Sequence, residues 1–395
     1  MKVLKTYLVL SLLYSALVAD DNLDKFISNY KAKEFEYDYQ KNESQSSILR
    51  DSWISPINLN YSYTKNNSGN TDYTSKTTSI NLDQPVFKSG GIYYGIKYAE
   101  ANYKYVSSTI DSSKQMMVKN ALLLLMQIKQ TDLKIQKQKL LIKNADINLD
   151  IKKEQYLNGQ LDSGFLDSAI IDRNTVISAL YDIQTSKERL ISQFETISDV
   201  DYEKAVIPNI AFITKEEFLN HNIVLDIAKN NNLQNDFHKD MVITKYLPTV
   251  SITAGYNWSK SEVGQVETKD DYYNYGFRVT IPLNINTFRD IQSSKIDYLK
   301  SKVDMEDKKR ELSALYDQVM QNLKNIDKKI NLSQENKKIY KKLLEDTKKL
   351  YEVGYKTSYD VELLSNSYEI QNLDIKVLDI DKSLELLTLY ESYKR

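Results

Sequence analysis

The chain has 395 residues, with 53 Lys and Arg against 54 Asp and Glu, no cysteine, and only 10 glycines and 5 prolines. The near-neutral balance lacks the concentrated basic excess of a nucleic-acid binder, so no nucleic-acid partner is indicated. Without cysteine there are no disulfides, no thiolate metal sites and no lipid anchor on an N-terminal cysteine. So few glycines and prolines leave the chain few places to turn, while 30 tyrosines exceed what a soluble helical protein needs.

Residues 1–19 have the form of a secretory signal peptide. Lys2 and Lys5 precede an apolar run from Tyr7 to about Leu17, and Ala19 offers a small residue for cleavage. The run is shorter than the roughly 20 residues of a membrane helix, and no later stretch is long enough either. The mature chain is therefore expected to leave the cytoplasm and to contain no membrane helix.

The remainder is expected to form a first structural repeat over 20–197, a linking segment with the helix leading into the second repeat over 198–246, and a second repeat over 247–395. Each repeat carries a β-hairpin, at about 53–87 and 247–283. In "INLNYSYT", Ile57, Leu59, Tyr61 and Tyr63 alternate with polar residues, and in "TSINLDQPVF" Ile80, Leu82 and Val86 keep the same period. Val250 to Trp258 and Tyr273 to Leu283 do likewise, which marks strands with one apolar and one polar face. The runs predict strands of about 9–12 residues, the length of a tilted transmembrane strand, joined by the polar loops "KNNSGNTDYTSK" and "SKSEVGQVETKDD". Trp53 and Trp258 are expected near strand ends, where an aromatic girdle belongs. A small soluble β-subdomain resting on a helix is the alternative. Four strands cannot close a barrel, so if they enter a membrane several chains must share one.

Long helices are predicted over about 89–156 and 288–351, with returning helices over about 165–197 and 359–393. The two long segments contain no proline, and each could span roughly 100 Å at 1.5 Å per residue. Ile128, Ile135, Ile142 and Leu149 form one heptad series; Leu133, Leu140 and Ile147 form another, offset by two residues or about 200° around the helix. The last helix repeats the arrangement with Leu373, Ile380 and Leu387 against Val361, Tyr368 and Ile375. Stripes on nearly opposite sides suit side-by-side packing in a hollow cylinder, with an ordinary bundle or coiled coil as the alternative. Leu312, Tyr316, Val319, Leu323, Ile326 and Ile330 make a single 4-3 seam. Lysine clusters such as "NKKIYKKLLEDTKKL" have acids nearby and read as a solvated helix face.

Two similar interruptions, "YLNGQLDSGFLDSA" at 156–169 and "YEVGYKTSYDVELL" at 351–364, separate each long helix from its returning partner. Gly159 and Gly354 are predicted to end helices at positive φ. Asp162 or Ser163, and Ser358, are predicted to cap the helices that follow. The recurrence of strand, strand, long helix, turn and returning helix indicates internal duplication.

In "LDQPVFKSGG", "YLPTVSITAGY", "VTIPLN" and the two glycine turns, the sequence resembles the TolC family of bacterial outer-membrane efflux and secretion channels. The resemblance implies a mainly helical chain whose long antiparallel hairpins form a periplasmic α-barrel. It implies a homotrimer in outer-membrane lipid, each chain giving four strands to a shared β-barrel. A periplasmic adaptor and an inner-membrane pump of the RND, ABC or MFS type are the implied partners, and no cofactor is. Pro85 and Pro282 match the strand–helix junctions, where a residue without an N–H suits a ladder's end. Residue by residue, Tyr351 and Lys356 match positions that hold the tunnel's periplasmic end closed, and Asp360 matches a pore-facing acid. Leu363 stands where a second acid is usual, and Phe165 where the first turn's linking aspartate falls, leaving Asp162 and Asp167 as nearby substitutes. An export duct is thus the leading expectation; a secreted coiled-coil structural or adhesive protein is the other. His221 and His238 lack ligand spacing, and there is no phosphate loop or nucleophile elbow, so no enzyme activity is expected.

Overall fold

The computed structural model describes Leu23–Lys394 apart from Asn70, so the signal-peptide expectation lies outside the described residues. After a short 3-10 turn come α1 (Asn29–Arg50), β1 (Asn58–Ser68), β2 (Thr71–Phe87), α2 (Gly91–Leu157) and α3 (Ser163–Glu195). The second repeat follows a short helix α4 (Lys215–Asn220), with α5 (Ile223–Thr244), β3 (Thr249–Val263), β4 (Val266–Thr280), α6 (Thr287–Glu352) and α7 (Ser358–Tyr390). Among the described residues no helix is long and apolar enough to cross a membrane.

The four strands make one antiparallel sheet in the order β1-β2-β3-β4, so hairpins of the two repeats meet at β2 and β3. On β3, Ile252, Ala254 and Tyr256 alternate with the less exposed Ser251, Thr253, Gly255 and Asn257. Tyr275 and Phe277 of β4 join this outward face and are 83% and 78% exposed. Period-two alternation on β3 thus sets bare apolar residues against more sheltered small polar ones, whereas β4 is exposed on both faces along its length.

The strands are longer than their apolar pattern. Residues of the two expected polar loops continue the ladder, out to Ser68↔Thr71 and Val263↔Val266, and Gly264 at φ +61 opens the second turn. Backbone pairing does not need apolar side chains, so Thr, Lys and Glu extend the strands once the apolar alternation has stopped. For the same reason Trp258 lies inside β3, opposite Thr78 and Asp271, rather than at its end. Trp53 precedes β1, where its carbonyl accepts from the Gln84 side chain at 3.1 Å. The other end of the Gln84 amide accepts from the Ser55 amide at 2.9 Å, fastening the approach to β1 onto the end of β2. Beside it the register shifts between Pro85 and Phe87, as expected where proline offers no donor. Pro282 lies just beyond β4, before α6 begins.

The helices form a layer one helix thick. Close to the sheet, α2 packs against α1 and α5, and α5 against α6; farther away α2 packs against α3 and α7, and α7 against α6. The two-sided stripes on α2 account for this, because Ile128 and Ile147 are buried and the other members of both series are partly covered. Two clusters midway along the helices hold the layer together. One joins Val118, Leu122, Leu125, Met126 and Ile128 of α2 to Phe194, Leu387 and Phe26. The other joins Leu312, Tyr316, Val319 and Leu323 of α6 to Ile213, Phe218 and Leu389.

The duplication extends to an ion pair. Asp132 meets Lys187 at 2.7 Å between α2 and α3, and Asp327 meets Lys382 at 2.8 Å between α6 and α7. Both residues of the second pair follow their counterparts at the same interval that separates Gly159 from Gly354. Phe194 is fully buried in the first cluster. Phe194→Ala should therefore destabilise the helical layer by about 3–5 kcal/mol, read as a lower denaturant midpoint by far-ultraviolet circular dichroism.

Candidate functional site: the paired turns at the helix tips

The long helices run away from the sheet and reverse at residues 158–162 and 353–357. Both reversals begin with the same hydrogen bonds. Gly159 donates to the Tyr156 carbonyl at 2.9 Å and Gln160 to the Gln155 carbonyl at 2.9 Å. In the second turn Gly354 donates to Tyr351 at 3.0 Å and Tyr355 to Leu350 at 2.8 Å. With φ of +71 at Gly159 and +81 at Gly354, each is a Schellman ending, which supplies donors to carbonyls a helix end would otherwise leave bare.

The two turns then diverge. The carboxylate of Asp162 caps α3, accepting from the Gly164 amide at 2.8 Å, while Ser163 is the first helical residue. Thr357, rather than the expected Ser358, caps α7: its hydroxyl accepts from the Asp360 amide at 3.2 Å, and its own amide donates to the Asp360 carboxylate at 2.9 Å. This reciprocal capping box needs an acid three residues after the cap, a relation that Thr357 has with Asp360. Lys356 lies 3.5 Å from the same carboxylate.

Asp360 is therefore engaged within its own turn. The Thr357 amide, against a smaller opposing effect of burial, holds its pKa below the ordinary carboxylate value, with the Thr357 hydroxyl and Lys356 assisting. Tyr351 and Lys356 share this turn, but among the described residues the Tyr351 hydroxyl makes no hydrogen bond within the chain. Asp167 is exposed one turn into α3, as is Phe165. The part sequence reasoning missed is the Thr357 cap, signalled by Thr-x-x-Asp before an apolar run. Elsewhere, His221 lies against Tyr393 and His238 against Tyr98, and among the described residues no group of acidic or histidine side chains is arranged to hold a metal.

A four-stranded sheet with apolar residues bare on β3 and β4 is thus joined to a wall of very long helices, with paired glycine turns at the far end. Residues 241–371 match the family model described as outer membrane efflux protein. The fold is shared over nearly the whole chain with VceC from Vibrio cholerae, at a TM-score of 0.71 and 13% identity, covering 95% of this chain and 96% of that one. CusC matches with a TM-score of 0.70 and 14% identity over 93% and 90% of the two chains. The Campylobacter jejuni CmeC outer membrane channel matches with 0.71 and 13% over 94% and 85%. No curated protein matches the sequence. The family model matches about a third of the chain, and the likeness to the solved outer-membrane proteins is one of fold.

The cap has a pH signature. A depressed folded-state pKa contributes stability that is present above the ordinary carboxylate value of about 3.9 and is lost as pH falls through the folded value. Asp360→Asn should thus melt at a lower temperature than the parent at neutral pH and converge with it in strong acid. Thr357→Ala should cost about 0.5–2 kcal/mol of helix-end stability, read as faster amide exchange at the start of α7.

Proposed function

We propose that three copies of this chain share one twelve-stranded barrel and one helical tunnel, a passive duct through which a periplasmic adaptor and an inner-membrane pump export their cargo. The observation that carries this reading is the pair of open edges on each layer of the protomer. Among the described residues β1 and β4 each lack a neighbour on one side, yet the sheet exposes the apolar face of a lipid-embedded wall. An open edge in hydrocarbon costs several kcal/mol per unsatisfied group, and only closure removes it. The helical layer has matching free borders. Along α6, Ile296, Leu299 and Val303, then Leu332, Ile339, Leu343 and Leu350, are exposed at spacings of three, four and seven. On the opposite border Tyr30 and Tyr37 of α1 and Ile170, Ile171 and Tyr181 of α3 are exposed. Such stripes pack in pairs, so the α6 border of one copy fits the α1–α3 border of the next.

The division into a first repeat, an equatorial segment and a second repeat is part of the same proposal. In it the tip turns close the tunnel at rest. Tyr351, Lys356 and Asp360, with Asp162 and Asp167 from the first turn, line its mouth. Because Asp360 is already held by Thr357 and Lys356, closure relies on few further polar links.

Light scattering of detergent-solubilised protein should give the mass of three chains, and planar bilayers should show discrete conductance. A folded monomer without conductance would overturn the proposal. Cysteine at Val266, beside the outer turn, should react with an impermeant maleimide on intact cells; labelling only after the outer membrane is broken would refute this topology. Lys356→Ala combined with Tyr351→Phe removes contacts worth about 0.5–1.5 kcal/mol each, so open-state occupancy should rise modestly in the bilayer recording.

A further inference from the structure

The two faces of the sheet differ in charge as well as in polarity. Residues paired across an antiparallel sheet share a face, so the register sorts each strand residue onto one side or the other. The face opposite Ile252, Tyr275 and Phe277 follows Ser251, Thr253, Gly255, Asn257 and Ser259 along β3, and their partners on the other strands are mostly serine, threonine and asparagine. Among the described residues only Asp83, Asp270 and Arg278 bring charge to this face. The other charged residues of the strands, such as Lys76, Lys260, Glu262 and Lys269, stand on the opposite side, at and beyond the level of Trp258.

Two of these three charges cancel. Arg278 is opposite Ser251 and Asp83 is opposite Thr253, with β3 between them. The guanidinium reaches across β3 and donates from Nη1 to the Asp83 carboxylate at 2.6 Å. The residues on its way are small: Ser251, Thr253 and, on β4, Gly276. In the next row Asn58, Asn81 and Asn274 stand level with Gly255, where an added Cβ would lie 2.4 Å from the Asn274 carboxamide and 2.8 Å from that of Asn81. Amides and hydroxyls continue from there to Asp270, six residues along β4 from Gly276, or roughly 20 Å. Asp270 is exposed and, among the described residues, makes no ion pair.

We infer that the Asp83–Arg278 pair and Asp270 together set the ion preference of the barrel. The inference rests on the channel reading, in which the apolar face meets lipid and this face therefore lines the lumen. Three chains repeat each feature around the axis. Low-dielectric walls focus the field of the charges that line them, and a ring of one sign selects the opposite ion. Held by Asp83, Arg278 adds no net charge, so its ring is silent and the Asp270 ring alone favours cations within the barrel. Asp83 is thus a specificity determinant that acts through the arginine it neutralises.

The test is the reversal potential of the full chain in planar bilayers under a potassium chloride gradient. Asp83→Asn leaves the guanidinium uncompensated and should move this potential towards that of chloride. Arg278→Gln should move it towards that of potassium. The two substitutions combined should return it to the parent value, which mere loss of a structural contact does not do. Asp270→Asn should move it towards chloride, and Arg278→Lys, which keeps the charge, should leave it near the parent value. Light scattering identifies the variants that still assemble; if Asp83→Asn does not, Arg278→Gln and Asp270→Asn decide the question. A potential unmoved in the assembled variants, or a double variant that shifts as far as Asp83→Asn alone, would overturn the inference. So would failure of all of them to assemble, which would make these residues structural. Parent protein that does not conduct refutes the channel reading instead.

Discussion

Everything in this protomer answers to the backbone groups on the outer sides of β1 and β4. In the proposed channel the sheet is committed to lipid by its apolar face, with Ile252, Tyr275 and Phe277 bare. Hydrocarbon offers no partner for a free N–H or C=O, so two open edges cannot coexist with that face in a finished structure. The contradiction disappears once the edges of neighbouring copies pair. The polar continuation of each strand past Trp258 lengthens the ladder that must be matched and so sharpens its register. In that proposal the single chain is a segment of a wall.

The helices obey the same logic with different forces. A layer one helix thick cannot enclose a core of the usual kind, so its buried residues gather at mid-height. There Phe26, the α4 segment and the end of α7 lean on α2 and α6. Away from this belt each helix relies on two narrow seams and on polar links such as Lys137–Asp374 and Asn144–Asn366. The recurrence of Asp132–Lys187 as Asp327–Lys382 puts one such link at the same height in both halves.

Much of this was legible in the sequence because it follows from periodicity. The alternation at 250–258 marks strand and outward face together, and paired heptads on α2 require neighbours on both sides. The glycines at 159 and 354 mark reversals, since positive φ is inexpensive only there. What was not legible depends on contacts that a pattern does not encode. The strands outrun their apolar residues because the ladder is made by the backbone. Thr357 displaces Ser358 as the cap because Asp360 reciprocates the contact.

The unbroken length of α2 has a mechanical meaning. From Ile128, at the lower edge of the mid-height core, to Leu157 at the tip, the chain contains no proline and continues as one helix. That overhang is a lever of roughly 45 Å at 1.5 Å per residue. Rotating it by about 5° about the core displaces its tip by about 4 Å, more than one hydrogen-bond length. The packed core at the fulcrum resists deformation, and below it Lys137–Asp374 and Asn144–Asn366 tie α2 to α7, so a displacement of the tip must carry the two helices together.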